Sequence, residues 1–113
     1  MNIQIIGTKK CKDTQKAERF FKERRIQIHF RDLTEKGLAK GELENIIRSI
    51  PIEELINKES KHYKKRGLQF MVFDIETELL EDALLIKTPI VRNSNQSTVG
   101  YTPEVWQKWL NIA

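Results

Sequence analysis

The chain opens on a short apolar run, Ile3-Gln4-Ile5-Ile6, stopped by Gly7-Thr8, and this β-branched block predicts a buried strand. From Asp13 or Thr14 the period changes. Ala17, Phe20, Phe21 and Arg24 recur at three- and four-residue spacings with Lys16, Glu18, Arg19, Lys22 and Glu23 between them, the pattern of an amphipathic helix. Asp13 and Thr14 each carry a side-chain oxygen able to cap its N-terminus. Ile26-Gln27-Ile28-His29-Phe30-Arg31 then alternates strictly, predicting a strand with Ile26, Ile28 and Phe30 on its buried face and His29 on the surface. Strand, helix and strand in this order form a βαβ unit, which implies parallel pairing and a right-handed crossover.

Residues 32–40 are polar, carry Gly37 and read as a loop. Leu43, Ile46, Ile47 and Ile50 give a second helical stripe that stops at Pro51, and residues 52–57 read as a short helix with that proline near its start. The basic run 58–66 holds His62 and Tyr63 and ends at Gly67, a natural C-cap. It reads as a solvated helix face in preference to an anion patch. Leu79, Leu80, Ala83 and Leu84 predict another helix over 78–85, so residues 33–85 are helical without a clear strand. Residues 86–92 then give a strand immediately after Pro89, with 93–96 as a turn and 97–101 as the returning strand of a hairpin. Thr102 is placed to cap a last helix with Pro103 at its first position and Val105, Trp106, Trp109 and Leu110 along it.

The order is therefore β-α-β, then helices, then β-β-α. This α/β arrangement is similar to the thioredoxin-like fold with a helical insertion between its halves. It divides one domain, 1–113, into a core of 1–32 and 86–113 and an insert of 33–85. That fold sets a cysteine at the N-terminus of its first helix and a cis-proline opposite it. Cys11 and Pro89 stand at those two places.

Composition narrows the partners. A chain of 113 residues with 39% hydrophobic content supports one modest core. The net charge of +4 comes from spread basic residues, which lacks the concentrated face of a nucleic-acid binder. No run nears the roughly 18 apolar residues of a membrane span, and residues 1–6 are too short and polar for a secretory leader. One cysteine excludes an internal disulfide and fits a reducing cytoplasm. With His29 and His62 the only histidines, no metal site is expected. A monomer is the default expectation.

The chemistry concentrates at Cys11. A thiol at a strand-to-helix turn meets the positive end of the helix dipole, where the thiolate is favoured. Lys9, Lys10 and Lys12 add positive charge on both sides. Thr14, one turn along, either donates its hydroxyl to that thiolate or caps the helix.

Three stretches resemble the arsenate reductase (ArsC)/Spx/YffB family over nearly the whole chain. Residues 7–17, Gly-Thr-Lys-Lys-Cys-Lys-Asp-Thr-Gln-Lys-Ala, are similar to its cysteine loop. Thr88-Pro89-Ile90-Val91 is similar to its Arg-Pro-Ile-Val segment, and Val99-Gly100-Tyr101 with Glu104 and Trp109-Leu110 to the C-terminal end of Spx-like members. The resemblance implies arginines that hold arsenate near the cysteine. They align with Asn57, Thr88 and Tyr101, none of which supplies a guanidinium fork. Lys58 and Arg92 lie nearby in sequence. The Cys-x-x-Cys switch of Spx-type regulators is absent, because the second position is Thr14.

The resemblance implies, first, a monothiol oxidoreductase. Cys11 would be the nucleophile, supported by Lys9, Lys10, Lys12, Thr14 and Arg92, with Thr88 and Pro89 binding a peptide-like substrate through the main chain. No cofactor is bound under this reading. Glutathione or a similar small thiol serves as co-substrate, and a small thiol or protein disulfide as partner. A second reading, from the Spx-like members, is a non-enzymatic regulator that binds an RNA polymerase subunit through residues 58–66 and Trp106-Gln107-Lys108-Trp109. A third is a true arsenate reductase with a rearranged anion site.

Overall fold

Ile3–Gly7 (β1), Lys12–Glu23 (α1) and Ile28–Asp32 (β2) form the expected βαβ unit in the computed structural model, which describes residues 2–111. β1 and β2 pair in parallel, Ile3 against Ile28 through Gly7 against Asp32. Ile90–Asn93 (β3) runs antiparallel to β1, and Gln96–Val99 (β4) returns beside it, giving the sheet order β2-β1-β3-β4. Between the halves lie the helices Lys40–Ile47 (α2), Lys61–Lys65 (α3) and Ile75–Glu81 (α4), interspersed with three single 3-10 turns, and Pro103–Asn111 (α5) closes the order. This is the thioredoxin-like arrangement with a helical insertion.

The period-2 alternation of β1 sorts its side chains onto two cores. Ile3 and Ile5 join Val91 of β3 on the face covered by α1 and α5, against Phe20, Phe21 and Trp106. Ile6 and Ile90 point the other way, into Leu43, Ile46, Leu55, Leu79 and Leu85 of the insert. The insert thus forms a layer covering the second face of the sheet. Phe21 and Trp106 are fully buried, and removing a side chain such as Phe21 from water contributes roughly 2–3 kcal/mol. The indole N–H of Trp106 is satisfied by Thr98 Oγ1 at 2.8 Å.

Element boundaries depart from the expectations where long-range or capping bonds decide. β2 starts at Ile28, because Ile26 N–H is drawn back to Phe21 O at 3.0 Å and Arg25 N–H to Lys22 O at 3.0 Å, closing α1 with Arg25 at φ 59°. That residue does the work usually given to glycine. β2 is also an edge strand, so Ile26, Ile28 and Phe30 are only half-buried. The helix expected over 78–85 is two elements. Asp74 caps α4 through Thr77 N–H, and Asp82 ends it and caps a 3-10 turn over Ala83–Leu85 through Leu84 N–H. β3, by contrast, starts immediately after Pro89 as expected, since the ring nitrogen cannot donate to a ladder, and Ile86 ahead of it bridges Ile56. Thr102 opens α5 with its backbone carbonyl, which accepts from Val105 N–H at 3.1 Å, while its buried hydroxyl is unpartnered.

Among the described residues no helix is long and apolar enough to cross a membrane, and no group of three acidic, histidine or cysteine side chains is placed to hold a metal.

Candidate active site

Cys11 takes the N-cap position of α1, with extended backbone at φ −74° and ψ 119°, one residue before the helix begins. This corrects the expectation that Asp13 or Thr14 caps the helix. The preceding turn is fixed by Cys11 N–H to Thr8 O at 3.2 Å and by the Gln15 amide to Lys9 O at 2.7 Å. Its free first-turn N–H groups therefore surround the sulfur, which is half-buried.

Thr14 occupies the third position of the helix and is fully buried beneath the cysteine. Gly7 makes room for it. A Cβ at Gly7 would stand 2.8 Å from Thr14 Cγ2 and closer still to its hydroxyl. A glycine at the end of β1 is therefore what lets a threonine sit under the thiol.

The opposite wall is built from the insert. Leu55–Asn57 and Leu85–Lys87 run side by side, with Asn57 N–H to Leu85 O at 2.8 Å and Lys87 N–H to Leu55 O at 2.6 Å. This pairing delivers the chain to Thr88 and a cis Thr88–Pro89 bond. Thr88 Oγ1 donates to Cys11 Sγ at 3.1 Å, and Thr88 O lies 3.9 Å from the sulfur. Pro89 is buried and its carbonyl accepts Gly100 N–H at 2.8 Å, holding the end of β4 against the site. Gly100 turns there at φ 82°, a conformation open to glycine at no steric cost.

The protonation of Cys11 follows from these contacts. Burial alone would push the thiol up. The Thr14 and Thr88 hydroxyls, with the N–H groups of Thr14 and Asp13, outweigh it and hold the thiol below its ordinary value. The Thr14 hydroxyl forms no hydrogen bond of standard geometry, so it favours the thiolate by proximity, whereas Thr88 makes a closed bond. Lys9, Lys10 and Lys12 are not among the groups responsible. All three are exposed, and Lys9 and Lys10 line a separate groove beside Asp32 and Thr34. Their sequence adjacency to Cys11 does not turn them toward it.

Arg92 is also placed elsewhere. Alternation along β3 turns it to the insert face, where it donates to Gln4 Oε1 at 3.1 Å and Asn45 Oδ1 at 3.0 Å. Glu42 stands 3.9 Å away and forms a two-pronged pair with Arg31. Arg92 clamps α2 onto the sheet and does not line the thiol cleft. Trp106 and Trp109 are core residues rather than a partner surface. In the basic run, His62 and Arg66 pair with Asp82, and Arg66 also with Glu78. That binds α3 to α4.

Cys11 opens onto a cleft of about 730 Å³. Its walls bring together Asn57, Thr88 and Tyr101, the three positions the resemblance aligned with arginines. Tyr101 packs edge-on against Trp106, with ring centroids 5.6 Å apart, and forms one side. The cleft also recruits Asp13, Glu54, Glu59 and Lys87, which no motif singles out. Glu54 and Glu59 flank Asn57 within three residues, the one hint that they would share its wall.

The ArsC family model matches residues 6–109 of the chain. In structure the chain is similar to an ArsC family related protein from Bacteroides fragilis, at a TM-score of 0.80 and 26% identity, covering 96% of this chain and 97% of that one. A YffB protein aligns at a TM-score of 0.83 and 19% identity, covering 94% and 96%. An arsenate reductase from Vibrio cholerae aligns at 0.81 and 18%, covering 96% and 97%. At those lower identities the likeness is one of fold. No curated protein sequence matches the chain.

Proposed function

The chain belongs to the ArsC family, and from that and the cleft geometry we propose a thiol-dependent oxidoreductase in which Cys11 acts alone as a monothiol nucleophile. Family and fold support the general class. The monothiol step rests on one observation: a half-buried thiol, alone in the chain, that receives the Thr88 hydroxyl at 3.1 Å and is held toward its anion.

The Cys11 thiolate attacks one sulfur of a substrate disulfide, and the other sulfur leaves as a thiolate that takes a proton from water. An external thiolate such as glutathione then attacks the substrate-derived sulfur of the mixed disulfide and restores Cys11. A second external thiol resolves the new disulfide, so two thiols become one disulfide and the substrate gains two electrons. The Thr88 main chain lies ahead of the β3 ladder and beside the sulfur, which suits it to pair with an extended substrate segment. Arsenate fits poorly. Asn57, Thr88 and Tyr101 supply no charge, and Lys87 is the one cation among the lining residues.

The test is turnover of a small disulfide coupled to glutathione consumption. The protein should accelerate the reaction well above glutathione alone, and Cys11→Ser should abolish the gain. Equal rates for wild type and Cys11→Ser would overturn the proposal. A reactive thiol without turnover would turn attention to the Spx-like regulator reading and to RNA polymerase subunits as partners.

A further inference from the structure

The residues lining the thiol cleft have the opposite charge balance to the chain as a whole. The protein carries +4 overall, yet the cleft wall holds the carboxylates of Asp13, Glu54 and Glu59 against the single ammonium of Lys87. These carboxylates come from three separate places in the fold: the first turn of α1, the 3-10 turn after Pro51, and the loop before α3. None of the three forms an ion pair among the described residues, whereas Glu42, Glu78 and Asp82 are all paired with arginines. The three acidic residues lining the cleft are exposed and open to a ligand. The three arginine positions that would have made the cleft cationic hold Asn57, Thr88 and Tyr101, which are neutral.

Resting on the monothiol reading, we propose that this cleft selects disulfides carried on cationic molecules, its substrate being a disulfide within a basic peptide segment. A lysine or arginine flanking the disulfide meets Glu54 and Glu59 on the insert wall and Asp13 on the helix wall. The extended backbone beside it meets the main chain of Thr88. Anionic disulfides meet three carboxylates and are repelled. The chemistry is the exchange already described: Cys11 bonds to one substrate sulfur, the other departs as a thiolate, and external thiols supply the two electrons. The same field ranks the resolving thiols, with cysteamine ahead of glutathione.

The experiment measures the second-order rate of wild-type Cys11 with three probes: cystamine (doubly positive), 2-hydroxyethyl disulfide (neutral) and glutathione disulfide (doubly negative). Each rate is divided by that of 2-mercaptoethanol with the same probe, which removes intrinsic reactivity. At low ionic strength cystamine should exceed glutathione disulfide by about tenfold or more, with the neutral probe between, and the gap should shrink to about twofold in ~0.5 M salt, where screening is short-ranged. The double substitution Glu54→Gln with Glu59→Gln should narrow the low-salt gap. Accelerated rates without a charge order, or a gap that the double substitution leaves unmoved, overturn the selectivity while leaving the monothiol reading intact. No acceleration with any probe overturns both.

Discussion

Thr88→Val removes one hydroxyl and almost nothing else. The side chain keeps its shape and its half-buried place, and the Leu55–Asn57/Leu85–Lys87 pairing that positions it is main-chain. What disappears is the O–H that reaches Cys11 Sγ at 3.1 Å. A hydrogen bond to a charged acceptor contributes about 1.5–3 kcal/mol, but sulfur is a diffuse acceptor and this one is half-exposed to water. The lower end applies, about 1.5 kcal/mol, which is roughly tenfold in the ratio of thiolate to thiol. Thr14 and the first-turn N–H groups remain, so the thiolate is weakened rather than lost. Ultraviolet absorbance of the thiolate reads this directly, because Cys11 is the only thiol. The titration midpoint of Thr88→Val should move upward, with a roughly tenfold smaller thiolate-to-thiol ratio at any pH below it. Thr88→Ser should retain most of the wild-type behaviour. A midpoint unchanged in Thr88→Val, or shifted equally in Thr88→Ser, would refute the assignment of that hydroxyl.

Three further outcomes are expected. Gly7→Ala drives a methyl into Thr14, an overpacking that costs about 1–3 kcal/mol; thermal unfolding should fall accordingly, and the Cys11 titration should shift as Thr14 is displaced. Arg25→Gly relieves a left-handed residue at φ 59° and should raise stability by about 0.5–1 kcal/mol in urea titrations; no gain, or a loss, would mean that the Arg25 side chain contributes to the fold. Comparing wild type with Cys11→Ser across pH tests the linkage between ionisation and folding. The folded thiol titrates below the reference value of 9.0, so its ionisation stabilises the fold fully above the unfolded value and loses that contribution as pH falls through the folded value. The stability difference should therefore grow with pH between those two points, and a flat or falling difference would contradict the depressed thiol.

Much of the framework can be read in the chain because local pattern and fold agree there. The Ile3–Ile6 block, the α1 stripe through Ala17 and Phe21, and the Trp106/Trp109 face become buried elements as their periods require. Cys11 and Pro89 come to opposite sides of one site because the β-α-β and β-β-α halves share one sheet. What local pattern does not carry is direction. Lys9 and Lys10 neighbour Cys11 in sequence yet face another groove, and Arg92 is only three residues from Pro89 yet alternation sends it to Gln4 and Asn45. The acidic wall is a long-range product. Glu54 and Glu59 reach the thiol cleft only because residues 55–57 pair with 85–87, more than twenty-five positions away. Boundaries at Ile26, Asp74 and Asp82 move for a related reason, since one cap or one backward hydrogen bond outweighs a weak local preference.

The central claim is that this lone cysteine is held below the ordinary thiol value by hydroxyls and backbone N–H groups, without a cationic partner. The most direct measurement is the rate of Cys11 alkylation by iodoacetamide as a function of pH in the wild-type protein. The structure predicts a midpoint below that of a free cysteine, because hydroxyls and backbone N–H donors support the thiolate. A midpoint at or above that of free cysteine would contradict the account.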